Sequence, residues 1–240
     1  MRRISELNYD ILVTQESTEI RNFIVECNAS SIFVLVDENT KKFCLPLMDS
    51  VLHNLQFTII EIPSGEQNKN LKICKYIWEK LLEGSADRKS LLINLGGGVL
   101  GDMGGFVSSS YMRGIPFIQV PTTLLAQVDA SVGSKLGINF MHHKNIIGLF
   151  CDPVLNWINP VFLKTLPQRQ LVNGYAEIIK HALIVSPAYW EKLKQTGHDI
   201  QYVSWEEIII ESLLIKSALV SEDKYESGKR KILNFGHTIG

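Results

Sequence analysis

The 240 residues carry 24 Lys and Arg against 25 Asp and Glu, a formal net charge of −1, with 45% hydrophobic and 20% charged residues. That balance describes an ordinary globular chain of one or two domains, and without a Lys/Arg run it excludes the electrostatic footprint of a nucleic-acid or anionic-membrane binder. Cys27, Cys44, Cys74 and Cys151 form no C-x-x-C pair, which argues against a zinc knuckle or a disulfide framework and fits a reducing cytoplasm, and no stretch reaches the roughly 18 apolar residues of a membrane helix.

In chain order, Ser31 to Val36 is a β-branched and aromatic run that predicts a buried parallel strand ending at Asp37-Glu38-Asn39. An acid there suits a ribose hydroxyl, and equally the start of a solvated loop. Phe57 to Ile62 predicts a second strand. Lys72 to Leu82 predicts a helix with Ile73, Ile77 and Leu81 in register. The run from Leu91 then stops at three glycines, and Gly96, Gly98 and Gly101 fit G-x-G-x-x-G, where bare backbone could approach a pyrophosphate; a simple glycine turn gives the same pattern. Ile115 to Val120 predicts another strand, closed by Pro121-Thr122-Thr123 and followed by LLAQVDASVGSKLG. Alternating strands and helices predict an α/β fold with a parallel sheet, whose ligands gather at the strands' carboxyl ends: Asp37 to Asn39, Gly96 to Gly98, and Thr122-Thr123. Beyond Cys151-Asp152-Pro153 strand signals fade, so the expected division is residues 1–155 and 156–240. Gln170 to Ile184 and Ser204 to Val220 are the helix candidates of the second part, the latter opening with Ser204 and Glu207 at capping-box spacing.

On the first of these helices Asn173, Glu177 and Lys180 form a polar stripe that must face water, a partner charge or a ligand. Glu177 and His181 could share a metal, although two ligands are too few for a site. Lys216 lies in the apolar stripe of the second helix, where it either snorkels or meets a buried anion. Glu226, Arg230, Asn234 and His237 recur at four, four and three residues, with Gly228 and Gly236 arguing against continuous helix. Arg113, Asp129, Lys135, Lys144 and Asn145 stand among glycines and short apolar residues, which suits oxyanion binding for the cations.

Several stretches together, Ser64-Gly65-Glu66 with Lys69, GGGVLGD, YMRG, PTTLLAQVDASVG, HKNIIGLF, TLPQR, GYAEIIKH and LNFGHTIG, resemble the 3-dehydroquinate synthase family from about Asp37 to Gly240. The resemblance implies a Rossmann-like NAD-binding domain followed by a helical domain that holds a divalent metal, zinc or cobalt, with a phosphorylated sugar acid between them in a cytoplasmic homodimer. It implies dinucleotide contacts from Asp37, Asn39, Glu66, Lys69, Gly97, Gly98, Asp102, Thr122, Thr123, Lys144 and Thr165. Substrate contacts are implied for Arg113, Asp129, Lys135, Asn145, Asn173, Lys180, Lys216, Arg230 and Asn234. Metal ligation is implied for Glu177 and His237, proton acceptance for Glu226, and catalytic roles for Lys135, Lys180, Lys216 and Asn145.

The family's reaction converts 3-deoxy-D-arabino-heptulosonate 7-phosphate to 3-dehydroquinate and phosphate, using NAD as a recycled redox handle, a metal as Lewis acid and cations for the leaving phosphate. Three departures bear on positioning: Gly133-Ser134-Lys135-Leu136-Gly137 stands where Gly-Gly-Lys-Thr-Gly is usual, Arg169-Gln170 replaces Arg-Glu, and Asn159 stands where an acid is common. The family pattern continues beyond Gly240 with a second histidine and a third metal ligand, so 156–240 is expected to be the start of the helical domain. The alternatives are another sugar-phosphate cyclase, a metal-dependent polyol dehydrogenase of the same architecture, and a chain that only binds nucleotide.

Overall fold

The computed structural model describes residues 1–195 and 204–236. Six strands, β1 (Arg2–Ile4), β2 (Asp10–Val13), β3 (Ile32–Asp37), β4 (Thr58–Ile62), β5 (Leu91–Gly96) and β6 (Phe117–Pro121), join a later one, β9 (Leu155–Ile158), in one seven-stranded sheet of order β1-β2-β9-β6-β5-β3-β4. Every pairing is parallel except that of β1 with β2. The sheet is covered on both faces, as its parallel central strands require. From β3, Val34 and Val36 pack toward α1 (Ser17–Glu26) and α3 (Asp49–Leu52), while Phe33 and Leu35 pack toward α4 (Leu71–Glu83) and α5 (Gly98–Ser110). Where α5 crosses the sheet, an added Cβ at Gly104 would stand 2.0 Å from Asn94 Oδ1, so only a glycine lets helix and strand come this close.

A short helix, α2 (Glu38–Phe43), follows β3, with the Asp37 side chain accepting the backbone N–H groups of Asn39 and Thr40 in a capping box. The segment after Thr123 departs from the expected strand-helix alternation. A short π-helical turn, Ala126–Ala130, gives way to an antiparallel hairpin of β7 (Lys135–Phe140) and β8 (His143–Phe150). Leu136 and Ile138 alternate inward against α5, which is the period-2 burial of a strand.

Three α-helices follow, α6 (Gln168–Val185), α7 (Pro187–Gln195) and α8 (Trp205–Glu222), and a short 3-10 helix, Lys229–Asn234, comes after them. Ser204 takes the N-cap position of α8 but its side chain makes no capping hydrogen bond, and Glu207 pairs with Lys192 at 3.5 Å, so the expected capping box does not form. Burial holds the helix instead: Ile208, Ile209, Leu213 and Val220 are all buried. Ile4, Ile11 and Val13 from the first two strands share one apolar cluster with Ile178 and Ala182 of α6 and Ile209 and Leu213 of α8. Among the described residues, no helix is long and apolar enough to cross a membrane.

Candidate active site

Two cavities meet at the carboxyl ends of the central strands. The first, of about 590 Å³, is lined by Asp37 and Asn39 after β3, by Glu66 and Lys69 after β4, by Gly97 and Gly98 after β5, and by Thr122 and Thr123 after β6, with Asp102 and Thr165. Gly97 is in extended backbone, and a Cβ on Gly98 would come within 3.0 Å of Ala130 Cβ. The start of α5 is thus left as bare backbone facing the cavity, an arrangement suited to an anion such as a pyrophosphate.

The second cavity, of about 630 Å³, is lined by Asp102, Asp129, Lys135, Asn145, Lys180, Lys216, Glu226, Arg230 and Asn234 among others. Its cations are nearly all held. Lys216 of α8 is buried and donates to Asp129 Oδ1 and to the Asp129 carbonyl, each at 2.5 Å. Lys180 pairs with Glu177 one turn back on α6, and Lys135 pairs with Glu226, which also accepts from Asn234 Nδ2 at 2.7 Å. Arg230 is buried, donating at 2.6 Å to the Lys224 carbonyl and at 3.3 Å to that of Gly133. Gly133 has φ +106°, and a Cβ there would lie 2.2 Å from Arg230 Nη2. The Ser134 hydroxyl bonds Asp152, whose carboxylate also holds Lys224 at 2.8 Å, so the altered turn is tied to the segment that carries Arg230.

Asp102 lines both cavities. Its Oδ2 accepts from Lys69 Nζ at 2.5 Å, and the same ammonium donates to Asn145 Oδ1 at 2.5 Å. Burial raises Asp102 to about 6 against the pull of Lys69. Burial would likewise raise Asp129, but the Lys216 ammonium overrides it and holds that carboxyl at about 2. Burial, aided by Arg230 and Lys216, brings Lys135 down to about 8.

Asp129, Glu177 and His181 present ligand atoms within 4.8 Å of one another. Burial holds His181 down at about 3, so its imidazole is neutral; Nδ1 is 2.5 Å from Ser212 Oγ, and Nε2 is buried without a hydrogen-bond partner, 3.9 Å from Asp129 Oδ1. Two carboxylates and a neutral imidazole are a donor set that fits a divalent ion such as zinc.

Of the residues singled out from sequence, those above line one cavity or the other, except Glu177 and His181, which reach the second only through their contacts with Lys180 and Asp129; three others stand apart. Arg113 lies exposed in the turn Tyr111–Arg113 beyond the far end of α5, some 20 Å along the helix from Gly98. Lys144 is exposed on β8, next to Asn145, and adjacent strand residues point to opposite faces. Asn173 is exposed on α6 one turn before Glu177, where the helix face turns to solvent. His237 lies outside the described residues. The sequence reading missed Asn139, which donates to Glu66 Oε1 at 2.9 Å and accepts the Asn145 N–H at 2.9 Å, joining the two cavity walls; no local pattern marks it. It also set aside His181 for want of a third ligand, which the fold supplies as Asp129. Lys216 does not snorkel: its anionic partner is Asp129.

Family models described as 3-dehydroquinate synthase N-terminal and C-terminal match residues 59–173 and 174–240. A 3-dehydroquinate synthase of Latilactobacillus sakei subsp. sakei is 48% identical over 186 residues, covering 77% of this chain and 52% of the relative. That of Acetivibrio thermocellus is 38% identical over 247 residues, covering 99% of this chain and 68% of the relative. The chain therefore spans roughly half to two thirds of the length of these relatives. Among solved structures, the 2-epi-5-epi-valiolone synthase of Streptomyces hygroscopicus subsp. jinggangensis, with NAD+ and Zn2+ bound, superposes with a TM-score of 0.85 at 26% identity, covering 99% of this chain and 68% of that one.

Proposed function

We propose a function on one premise: this chain belongs to the 3-dehydroquinate synthase family. It serves the conversion of 3-deoxy-D-arabino-heptulosonate 7-phosphate to 3-dehydroquinate and phosphate, a carbon-oxygen lyase reaction. The observation that carries the reading is the shared wall at Asp102, which sets a glycine- and hydroxyl-lined cavity against one lined by Lys135, Lys180, Lys216 and Arg230. NAD in the first cavity would supply a hydride acceptor that is regenerated, and a divalent metal at Glu177 a Lewis acid. NAD and zinc in the valiolone synthase structure support both assignments.

The chain's own residues then divide the work. Gly97, Gly98, Thr122 and Thr123 cradle the dinucleotide phosphates, while Asp37 and Asn39 face its ribose. Glu177 takes the metal, with His237 as the second ligand and Asp129 and His181 flanking it. Lys135, Arg230, Asn145 and Asn234 receive the substrate's phosphate, and Lys180 and Lys216 its remaining oxygens and carboxylate. Glu226, beside Lys135 and Asn234, accepts the proton lost as phosphate leaves. Residues 1–155 form the nucleotide-binding part and 156–240 the metal and substrate part, although β9 extends the sheet to Ile158. The working protein is a cytoplasmic homodimer.

The test is phosphate release from the heptulosonate phosphate by the full-length protein with zinc and a catalytic amount of NAD. Release of phosphate with no net NADH is expected. Steady NADH accumulation with an unphosphorylated polyol, and no phosphate release, would make the protein a polyol dehydrogenase instead; nucleotide binding with neither activity would leave a binding module.

A further inference from the structure

We propose that Asp152 is a positioning residue, which clasps the turn Gly133-Ser134-Lys135 to the loop at 223–230 and so holds the Arg230 guanidinium at the wall of the second cavity. The inference rests on the reading above, in which Arg230 receives the substrate's phosphate, and names what keeps that group in place. Arg230 is buried and directs its hydrogen bonds to neutral groups: Nη1 donates to the Lys224 carbonyl at 2.6 Å, and Nη1 and Nη2 both donate to the Gly133 carbonyl at 3.3 Å. Lys135, Lys180 and Lys216 each meet a carboxylate instead. A guanidinium held by carbonyls keeps its charge for an anion, and its planar fork is aimed only as well as those two carbonyls are placed.

Both carbonyls belong to segments that Asp152 grips. Its Oδ1 accepts the hydroxyl of Ser134, the residue after Gly133, and also accepts from Lys224 Nζ at 3.0 Å; Oδ2 accepts from the same ammonium at 2.8 Å. The Cys151 N–H donates to the Ser134 carbonyl at 2.9 Å, a second hold on the turn from the residue beside Asp152. Ser134 has φ +64°, a backbone that favours glycine, so its hydroxyl reaches Asp152 from a conformation that disfavours a side chain. Within the loop, the Asp223 carboxylate accepts the N–H groups of Ser227, Gly228 and Arg230, which shapes the loop from inside. The Lys135–Glu226 pair crosses the same seam, but phosphate must part it to reach Lys135. Asp152, Ser134 and Lys224 are not among the residues lining the cavity, so their contacts persist when the anion enters.

The experiment is titration of inorganic phosphate and, separately, of NAD into the full-length protein and its variants. The side chains of Asp152 and Lys224 are 24% and 30% exposed, and so wetted a pair contributes little to stability, so Asp152→Ala should fold and bind NAD as the wild type does. Its phosphate affinity should fall about 10-fold, the scale of one charge-assisted hydrogen bond, and that of Ser134→Gly should fall by a smaller factor. In an Arg230→Met background Asp152→Ala should weaken phosphate no further, because its effect passes through the guanidinium. Exchanging the charges, Asp152→Lys with Lys224→Asp, should restore much of the affinity. If Asp152→Ala does not fold, Ser134→Gly decides. Phosphate affinity equal to wild type overturns the clasp, as does a full further loss in the Arg230→Met background or a parallel loss of NAD affinity, which would make Asp152 a general prop of the fold; each of these leaves the anion site standing. A wild type that binds no phosphate overturns both.

Discussion

Replacing Asp129 with Asn keeps the shape of the side chain and removes the charge opposite Lys216. The hydrogen bonds survive in outline, because the backbone carbonyl of Asp129 still accepts from Lys216 Nζ and an amide oxygen can take the place of Oδ1. What is lost is the ion pair around an ammonium that is 4% exposed. Lys216 holds Asp129 at about 2 against an ordinary 3.8, despite burial, whereas burial lowers Lys216 itself, so the pair stabilises the fold by less than the carboxyl's shift alone implies. Leaving a buried charge unpaired costs about 3–5 kcal/mol in comparable cases. The side chain of Asp129 is 28% exposed, so the lower end is the better guide. Urea denaturation at neutral pH should therefore show a loss of about 2–4 kcal/mol, a substantial part of the ~5–15 kcal/mol that domains possess. The folded value lies below the unfolded one, so this contribution is fully present above about pH 4 and disappears as pH falls through about 2; the gap between variant and wild type must narrow over that window. Adding Lys216→Met to the variant should recover much of the loss, since no charge is then left without a partner. A single-variant loss under about 1 kcal/mol, typical of a solvated surface pair, would refute the view of this pair as a buried one.

Glu177→Ala should abolish most zinc binding, read as metal content, and leave NAD affinity unchanged because the dinucleotide residues line the other cavity; undiminished zinc would remove Glu177 from the metal site. Gly133→Ala must strain a backbone at φ +106° and push its Cβ against Arg230, 2.2 Å away, so it should lose ~1–3 kcal/mol in denaturant titrations and weaken phosphate binding. Phosphate affinity equal to wild type would show that Arg230 does not need its present seat. Asp102 is raised to about 6 by burial, so its folded-state protonation favours the native state below about pH 4 and that advantage is lost as pH rises through 6. Asp102→Asn should flatten this part of the stability profile, and an unaltered profile would assign the slope to another group.

The central strands were legible in sequence because strands buried on both faces read as continuous apolar runs, as at Ile32–Asp37 and Leu91–Gly96. The general rule that ligands gather at carboxyl ends then points to Asp37, Gly97, Gly98, Thr122 and Thr123 from sequence alone. The three- and four-residue strands β1, β2 and β9 were not legible, since so short a run carries no measurable period. The hairpin was missed because β8 exposes most of its side chains and its glycines mimic turns. Partners were harder still. Lys216 in an apolar stripe announced a conflict, but nothing local says that its anion is Asp129, 87 positions away. Periodicity placed Asn173 with Glu177 and Lys180, yet whether a helical face meets a cavity or solvent changes within a turn, and only packing decides where.

The edge of the sheet also dictates an order of events during synthesis. β2 pairs with β9, and the Trp157 indole donates to the Thr14 carbonyl across a separation of 143 residues. Ile4, Ile11 and Val13 then need α6 and α8 to cover them. At about 5–20 residues per second, the first two strands emerge from the ribosome roughly 7–29 s before β9 can pair with them, and wait longer for the helices. Through that interval the nascent chain presents apolar strands with unpaired edges, while the β3–β4–β5–β6 sheet can assemble behind them. The N-terminal strands thus wait longest for their partners, for a reason of topology rather than any weakness of their own residues.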